Sequence, residues 1–327
     1  MFKPNENIVH LLRWLTERYN VFLNKSAGKP FPWTDDEIIS SHKFTNVFRF
    51  LDYESQFLIR HVIGNDDRSY HDTVFRILLF KIFNYSDTWL YLENELGDIT
   101  YETDLNEIDR LLDKYVDDGN KVFSSAYLQA SYFVQKEEWK YLIGEHKHYQ
   151  YLTVMGEGIL SNEAIEGFKA PKTFEELFTN LSQYDGMGPF MSYQYAQDLN
   201  YSKYFNHDMN SFVQEGPGST RGVKRIFDGV KKNDIASAIK WTYDNLDELF
   251  QKYYPQGKVP EFNGHRLTLP DMQNCFCEVD KYMRGLGIQV EGVAGKSIKQ
   301  KYNFANKRST DMYVAPPKWK VDPLICK

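Results

Sequence analysis

The fold of this chain is decided by residues 185–225, which read DGMGPFMSYQYAQDLNYSKYFNHDMNSFVQEGPGSTRGVKR. Two glycine-bearing turns, at residues 186–188 and 216–218, bracket the carboxylate of Asp208. A Gly-x-Gly turn at the start of a helix presents backbone N–H groups that bind an anion. Asp208 follows Gly188 by twenty residues, at the point where the next helix is expected to begin. The stretch therefore predicts helices on either side of a turn, and a carboxylate that faces the anion held by that turn.

The first turn is predicted to hold a phosphate through its backbone, a contact that does not depend on base sequence. The predicted donors are the N–H groups of Gly186, Met187 and Gly188, because small residues let the backbone approach a ligand closely. An ordinary helix–helix turn is the alternative for this segment taken alone. For Asp208 the alternative is a helix N-cap, a role that is compatible with catalysis because a helix N-terminus stabilises a negative charge.

The second turn leads into a basic segment, residues 219–232, with five Lys or Arg against one Asp. Its expected N-cap is Ser219. The segment predicts contacts to a DNA backbone, or to an anionic substrate group, from Gly216, Gly218, Ser219, Arg221 and Lys224. A purely structural turn is again the alternative.

Composition indicates a folded chain with a large core. The 327 residues are 42% hydrophobic and 16% aromatic, so disorder is not expected. The net charge of −6 weakens a nucleic-acid interpretation. Positive charge is nevertheless concentrated in residues 219–232 and in residues 296–320, where seven Lys or Arg accompany one Asp.

Other features favour a cytoplasmic protein without cofactor or metal. The three cysteines argue against a disulfide framework and for a reducing compartment. No apolar run is long enough for a membrane span, and no secretory signal is visible. The eight histidines are scattered, and we expect His146 and His148 at the surface rather than in a metal site. The sequence leaves open whether a structural cation binds at the first hairpin.

Helical periodicity dominates the chain. A capping box begins a predicted helix at Thr173, and Thr268-Leu-Pro-Asp271 begins another that is expected to run to about Arg284. Residues 71–83 are apolar almost all round, which is typical of a buried helix. Residues 149–154 are the segment that could form a short strand. We predict one helical domain over residues 1–295, arranged as two lobes with a cleft between them, and a basic tail over residues 296–327.

Polar groups inside apolar helices mark a second group of candidates. Arg76, Lys81 and Asn84 interrupt the buried helix, where an unpaired charge is costly. Lys81 and Asn84 share one face, whereas an internal ion pair is the equal alternative for Arg76. Tyr193, Gln194 and Asp198 are the further candidates for lining a pocket.

Taken together, these motifs resemble a known family. The segments are FTNVFR, FRILLFKIFNYSDTW, YDGMGPFMSYQYAQDLNY, GPGSTRG and LPDMQNCFCEVDKY, spread over about residues 40–285. They are similar to the helical domain of the 5-hydroxymethyldeoxyuridine DNA kinases and to the alpha-glutamyl/putrescinyl thymine pyrophosphorylase group. Both belong to a divergent branch of the helix-hairpin-helix DNA glycosylases. The chain contains no P-loop, so the resemblance does not imply phosphorylation.

The resemblance implies a mainly α fold of the helix-hairpin-helix DNA glycosylase type, with two helical lobes around a DNA-binding cleft. In such glycosylases the catalytic Asp follows the second hairpin glycine by about twenty residues, which corresponds to Asp208. Its carboxylate stabilises the positive charge that develops on the sugar. Lys81 and Asn84 would lie near the flipped base or the gap that it leaves. Glycosylases that also cleave the strand carry a lysine where this chain has Phe190.

The leading hypothesis is a monomeric, monofunctional glycosylase that excises a hypermodified pyrimidine from double-stranded phage DNA, as anti-phage members of this branch do. It would leave an abasic site. One alternative is a base-hypermodification enzyme that acts on an activated 5-hydroxymethyl pyrimidine. Another is a DNA-binding module without catalysis. The sequence does not name the modified base.

Overall fold

The computed structural model describes residues 2–64, 67–125, 132–293, 295, 297–298, 300–302 and 310–326. The chain divides into two compact units. Unit 1 comprises Met1–Tyr53 and Met209–Lys327, and unit 2 comprises Glu54–Asp208. Asp208 is thus the last residue of unit 2. Residues 126–131 lie outside these ranges, and so do several basic residues of the predicted tail over residues 296–327.

Helices make up most of the described chain, which confirms the expected mainly α class. The α-helices, numbered α1 to α14 in chain order, are Ile8–Ser26, Glu37–Ser41, Tyr53–Phe57, Tyr70–Phe83, Ser86–Leu96, Leu105–Asp117, Lys147–Glu157, Asn162–Gly167, Phe174–Leu181, Pro189–Leu199, Pro217–Ile226, Ile235–Asp244, Leu246–Tyr253 and Leu269–Gly285. Short 3-10 helices are Arg49–Leu51, Tyr132–Gln135, Glu137–Leu142, Lys232–Asp234 and Pro317–Trp319, and Leu58–Ile63 is a π-helix. The arrangement of glycosylase-like lobes around a cleft stays a prediction.

Strands are short and antiparallel. Glu261–Phe262 (β1) pairs with His265–Arg266 (β2), and Met312–Tyr313 (β3) pairs with Leu324–Ile325 (β4). The β3–β4 hairpin lies in the predicted basic tail. There Tyr313 packs edge-on against Phe22, at 4.8 Å between ring centroids. The described end of the chain is therefore packed on unit 1.

Unit 1 is built around α14. Its N-terminus lies at the predicted position and is capped, because Thr268 accepts from the backbone N–H of Asp271 while the Asp271 carboxylate accepts from that of Thr268. Helix α11 packs closely across α14. A Cβ on Gly222 would lie 2.0 Å from the carbonyl oxygen of Phe276, and one on Gly218 would lie 2.2 Å from Cys277 Sγ. Both glycines therefore permit the contact between these two helices.

A buried carboxylate reinforces the α11–α14 contact. Asp280 is fully buried. It accepts from Nε of Arg225 at 2.8 Å, of Arg221 at 3.0 Å and of Arg284 at 3.3 Å. Burying a carboxylate is costly unless it is paired and hydrogen-bonded, and these three arginines meet that requirement.

Unit 2 contains the buried helix α4, in which every residue from Thr73 to Phe83 is buried. Arg76 in this helix is held by its own unit. Its guanidinium donates to the carbonyl oxygens of Val62 at 2.8 Å and Ile99 at 2.7 Å, and it forms ion pairs with Glu93 and Asp98. Arg76 therefore forms internal ion pairs, as the alternative interpretation of this residue predicts.

Three local predictions are wrong. Residues 149–154 lie in helix α7, not in a strand, since Tyr151, Val154 and Met155 are buried with the spacing of a helix face. The sequence also predicts a single helix over residues 233–253, where the structure has two helices that meet at Asn245. The helix expected after Asp208 is not formed, and the next one begins at Pro217.

Among the described residues, every helix is too short or too polar to cross a lipid bilayer.

Candidate active site

The first glycine turn joins two packed helices of unit 2. Thr173 caps α9 by accepting from the backbone N–H of Glu176 at 3.1 Å. Residues 182–188 then turn the chain into α10, which packs against α9. Gly186 has a φ of +79°, a conformation that side chains other than glycine rarely adopt. The space above it is also filled, because an added Cβ would lie 2.7 Å from Met155 Cε of α7.

The exposed end of this hairpin is the N-terminus of α10. Gly188 is the N-cap and Pro189 the first helical residue, an arrangement that suits proline because it lacks the N–H. Residues 188–190 are exposed, whereas the Met187 side chain is buried. The Met187 backbone N–H already donates to the Tyr184 carbonyl oxygen at 3.1 Å. The predicted anion donors therefore narrow to Gly188 and the first turn of α10, where the residues are exposed, and anion binding at this position stays a prediction.

Asp185 fastens the hairpin to the preceding segment. Its carboxylate accepts from Trp139 Nε1 at 2.6 Å and forms an ion pair with Lys136. Burial by itself raises the pKa of Asp185, but the hydrogen bonds from Lys136 and Trp139 outweigh it, and the pKa lies below its usual value. The hairpin is thus held on one side by Asp185 and on the other by the close contact of Gly186 with α7.

The predicted pocket residues lie in the interior of unit 2. Lys81 on α4 and Asp198 on α10 form a buried ion pair with 2.5 Å between Nζ and Oδ2. Tyr193 is 1% exposed and packs against Phe174 and Phe178 of α9. The structure therefore brings Lys81 and Asp198 together, where they join α10 to α4.

The other two predicted pocket residues are also buried. Asn84 ends α4 in the left-handed conformation, with a φ of 46°, and its Nδ2 donates to Ser124 Oγ at 3.4 Å. Gln194 is 4% exposed, on the first half of α10. A gap-filling role for Asn84 and a pocket role for Gln194 stay predictions.

Asp208 lies at the end of a loop that is clamped from within. Asn200, the C-cap of α10, is 1% exposed. Its Nδ2 donates to the His207 carbonyl oxygen at 3.0 Å, and its Oδ1 accepts from the His207 N–H at 2.9 Å. The exposed Asp208 follows directly. Asp208 is not a helix N-cap, because residues 209–215 are not helical, so its backbone is positioned by the clamp and not by a following helix.

The second glycine turn has structural contacts in unit 1. The sequence predicts Ser219 as the N-cap of α11, but the structure has Gly216 in that position. Ser219 is fully buried, and its Oγ accepts from the Gly216 N–H at 2.8 Å and from Gln273 Nε2 at 3.1 Å. These contacts, together with the close packing at Gly218, explain why the segment needs its glycines and serine. Contacts to a DNA backbone stay predictions for five residues of this segment, and the candidate site at α10 and Asp208 does not include them. These residues are Gly216, Gly218, Ser219, Arg221 and Lys224.

Sequence reasoning missed several residues that shape the site. The sequence places Asn200 at the end of a predicted helix, where an Asn can act as a cap, but gives no sign that its side chain holds the loop before Asp208. The pairing of Asp185 with Lys136 and Trp139 gave no local signal, because the partners are more than forty residues apart. The structure also brings together Asp113, His146 and His148 as groups able to hold a metal ion, where the sequence led us to expect scattered surface histidines.

Comparisons with known proteins agree with the resemblance seen in the motifs. Residues 6–291 match the family described as "5-hmdU DNA kinase, helical domain". A curated protein of Bacillus phage SP10 named "5-hmdU DNA kinase" is 25% identical over 309 residues, which are 89% of this chain and 47% of that protein. The chain thus spans about half the length of this curated relative. No solved structure matches the chain.

Proposed function

The chain belongs to the 5-hmdU DNA kinase helical-domain family, and on that premise we propose that it excises a modified pyrimidine from double-stranded DNA. It acts as a monofunctional DNA glycosylase without a metal or organic cofactor in the reaction. The observation that carries the proposal is the arrangement along α10. The hairpin at residues 186–188 begins this helix, and the Asn200 clamp at its end holds the loop that presents Asp208.

The hairpin positions the DNA. The exposed N–H groups at Gly188 and in the first turn of α10 bind a backbone phosphate, with help from the positive end of the helix dipole. Because the Lys81–Asp198 pair and the α9 contacts hold α10 in place, the phosphate is fixed relative to Asp208. This contact orients the duplex and leaves base choice to the pocket.

Asp208 supports bond cleavage. The target nucleotide leaves the base stack, and its N-glycosidic bond breaks, with the bonding electron pair leaving on the base. The carboxylate of Asp208 stabilises the positive charge on the sugar. Water then adds to C1′ and loses a proton, and the base takes up a proton on release. The products are a free base and an abasic site.

Phe190 separates this chemistry from strand cleavage. Lyase activity needs an amine that forms a Schiff base with the sugar. The position that carries the lysine in lyases holds Phe190, which is 37% exposed in the first turn of α10. We therefore propose that the abasic site is the final product and that strand breaks appear only after alkaline treatment.

The proposed substrate is DNA that contains 5-hydroxymethyluracil or a base derived from it. The support is the printed name of the phage relative, which refers to 5-hmdU DNA. An enzyme with this preference spares DNA with ordinary bases, which is the requirement for defence against phages with modified DNA. We propose a monomer acting in the cytoplasm.

The test is incubation of the purified protein with DNA that contains thymine, 5-hydroxymethyluracil or hypermodified phage bases, followed by mass spectrometry of the released material. We expect a free modified base and alkali-labile sites. Asp208→Asn should lower the excision rate by about 100-fold or more, while Asp117→Asn, at an exposed aspartate of unit 2, should not change it. Substrates that remain intact with a folded protein would contradict the proposal.

A second candidate function is base hypermodification. It is favoured by the name of the relative, "5-hmdU DNA kinase", since a phosphorylated hydroxymethyl group is a leaving group that an amine can replace. In this case the chain holds the flipped base while an amine replaces the leaving group. The same mass spectrometry distinguishes the two: a new nucleoside in the digested DNA supports hypermodification. Binding without either product, unchanged in Asp208→Asn, would indicate a DNA-binding module.

A further inference from the structure

A cluster of imidazole and carboxylate groups lies between α6 and α7 of unit 2, apart from the residues assigned above. Asp109 and Asp113 are four residues apart on α6 and therefore share a face. His146 is the N-cap of α7 and His148 is its second residue. The packing of α6 against α7 brings these two pairs together.

The distances within the cluster are close to those between ligands of one metal ion. His146 Nδ1 lies 2.8 Å from Asp113 Oδ1, His148 Nε2 lies 3.0 Å from the same oxygen, and His148 Nε2 lies 3.5 Å from Asp109 Oδ1. A tetrahedral ion with ligands at about 2.0–2.1 Å separates them by about 3.3 Å. The ligand atoms of Asp113, His146 and His148 all lie within 4.8 Å of one another, so small side-chain shifts would place these three groups around one ion. Asp109, which lies beside His148, would complete the site by moving toward the ion.

The cluster also contains one carboxylate oxygen whose hydrogen-bonding capacity is not used. Asp109 Oδ1 is buried without a hydrogen-bond partner in the described part of the chain. His148 is 2% exposed. Buried polar atoms normally have a partner, so this carboxylate oxygen beside a buried imidazole has the capacity to bind a cation.

Charge points in the same direction. The carboxylates of Asp109 and Asp113 both lie beside His148, and His146 lies beside Asp113. A divalent cation would compensate the charge of the two carboxylates and bind the ring nitrogens of the imidazoles.

We propose that Asp109, Asp113, His146 and His148 form a structural site for a divalent transition-metal ion of the Zn²⁺ class. Two imidazoles and two carboxylates suit Zn²⁺ and its neighbours better than Mg²⁺ or Ca²⁺, which prefer oxygen ligands. Four protein ligands leave no open position, so the ion has a structural and not a catalytic role. It joins α6 to the first turn of α7.

The site has a consequence for the hairpin. Met155, seven residues after His148 on α7, is the residue whose Cε lies against Gly186. Seven residues of helix span about 10 Å. The ion would therefore fix the helix whose far end supports the DNA-binding turn, and this structural role does not depend on the reaction that the protein catalyses.

The test uses untagged full-length protein, treated with a chelator and then dialysed. We expect it to bind about one Zn²⁺ per chain, to show visible d–d absorption with Co²⁺, and to gain thermal stability with Zn²⁺ but not with Mg²⁺ or Ca²⁺. Elemental analysis, titration calorimetry and thermal melts measure these effects without any assay of activity.

Two variants assign the site. His146→Gln and Asp113→Asn change half-exposed side chains, so the fold should be retained, and each should weaken Zn²⁺ binding at least tenfold. His71→Gln is the matched control, because His71 pairs with Glu166 at 2.7 Å without a second histidine, and it should bind as the wild type does. Failure of the wild type to bind Zn²⁺ stoichiometrically would overturn the proposal, as would unchanged binding in both variants or equal binding of Ca²⁺. The cluster would then be a hydrogen-bonded histidine–aspartate group.

Discussion

The side-chain amide of Asn200 closes a two-point clamp on the backbone of His207, accepting from its N–H at 2.9 Å and donating to its carbonyl oxygen at 3.0 Å. The clamp closes the loop of residues 201–207 back onto the end of α10. Since Asp208 is the next residue, the position of its backbone depends on an amide eight residues earlier. This relationship replaces the helix cap that the sequence led us to expect at Asp208.

We expect Asn200→Ala to lower excision by about 100-fold, because a displacement of about 1 Å in a reacting group has an effect of that size. Asn200→Asp keeps the acceptor and loses the donor, so its loss should be smaller. Asn106→Ala, at an exposed position on α6, is the control. Single-turnover rates on modified DNA measure the effect, and an Asn200→Ala rate equal to the wild type would show that the clamp does not position Asp208.

Lys81 and Asp198 form a buried ion pair, so removal of one partner should be more harmful than removal of both. Lys81→Met leaves the Asp198 charge buried and uncompensated, and should lower the free energy of unfolding by about 3–5 kcal/mol. The double variant Lys81→Met/Asp198→Leu should recover most of the loss. Urea denaturation of the single and double variants measures the coupling, which would be near zero if the pair contributed nothing.

Gly222 lies where α11 crosses α14. Gly222→Ala would place a methyl group 2.0 Å from the Phe276 carbonyl oxygen, and the helices would have to separate. We expect a loss of about 1–3 kcal/mol in the free energy of unfolding. Gly167→Ala is the matched control, because no described atom beyond its own helix backbone and chain neighbours lies within 4 Å of the added methyl group. Equal thermal stability of the two variants would contradict the close packing.

Asp185 should make stability depend on acid pH. Its pKa is lower in the folded protein than in the unfolded chain, since the hydrogen bonds from Lys136 and Trp139 outweigh the effect of burial. The stabilisation is therefore fully present above the unfolded pKa of about 4 and is lost as the pH falls through the folded pKa. Asp185→Asn should be less stable than the wild type at pH 7, with a smaller difference in acid. Asp117→Asn should show neither change in denaturation curves recorded across this range.

The sequence by itself determined the helical class, the buried helix α4 and the helix starts at Thr173 and Thr268. These features depend on local composition and on interactions within a few residues, such as the hydrogen bonds between Thr268 and Asp271. The family could also be recognised from the motifs. The strand prediction was wrong at residues 149–154. Their aromatic and β-branched residues favour a strand, whereas the buried side chains have the spacing of a helix face.

Only the tertiary structure decided what the polar residues do. Lys81 meets Asp198 across 117 positions of sequence, Asp185 meets Trp139, and Gly222 meets Phe276. Asp109 and Asp113 lie within reach of His146 and His148 only because α6 packs on α7. A sequence records that a charge or a glycine is present. The partner that stabilises the charge, or the backbone that needs the space, is brought there by the packing of distant helices.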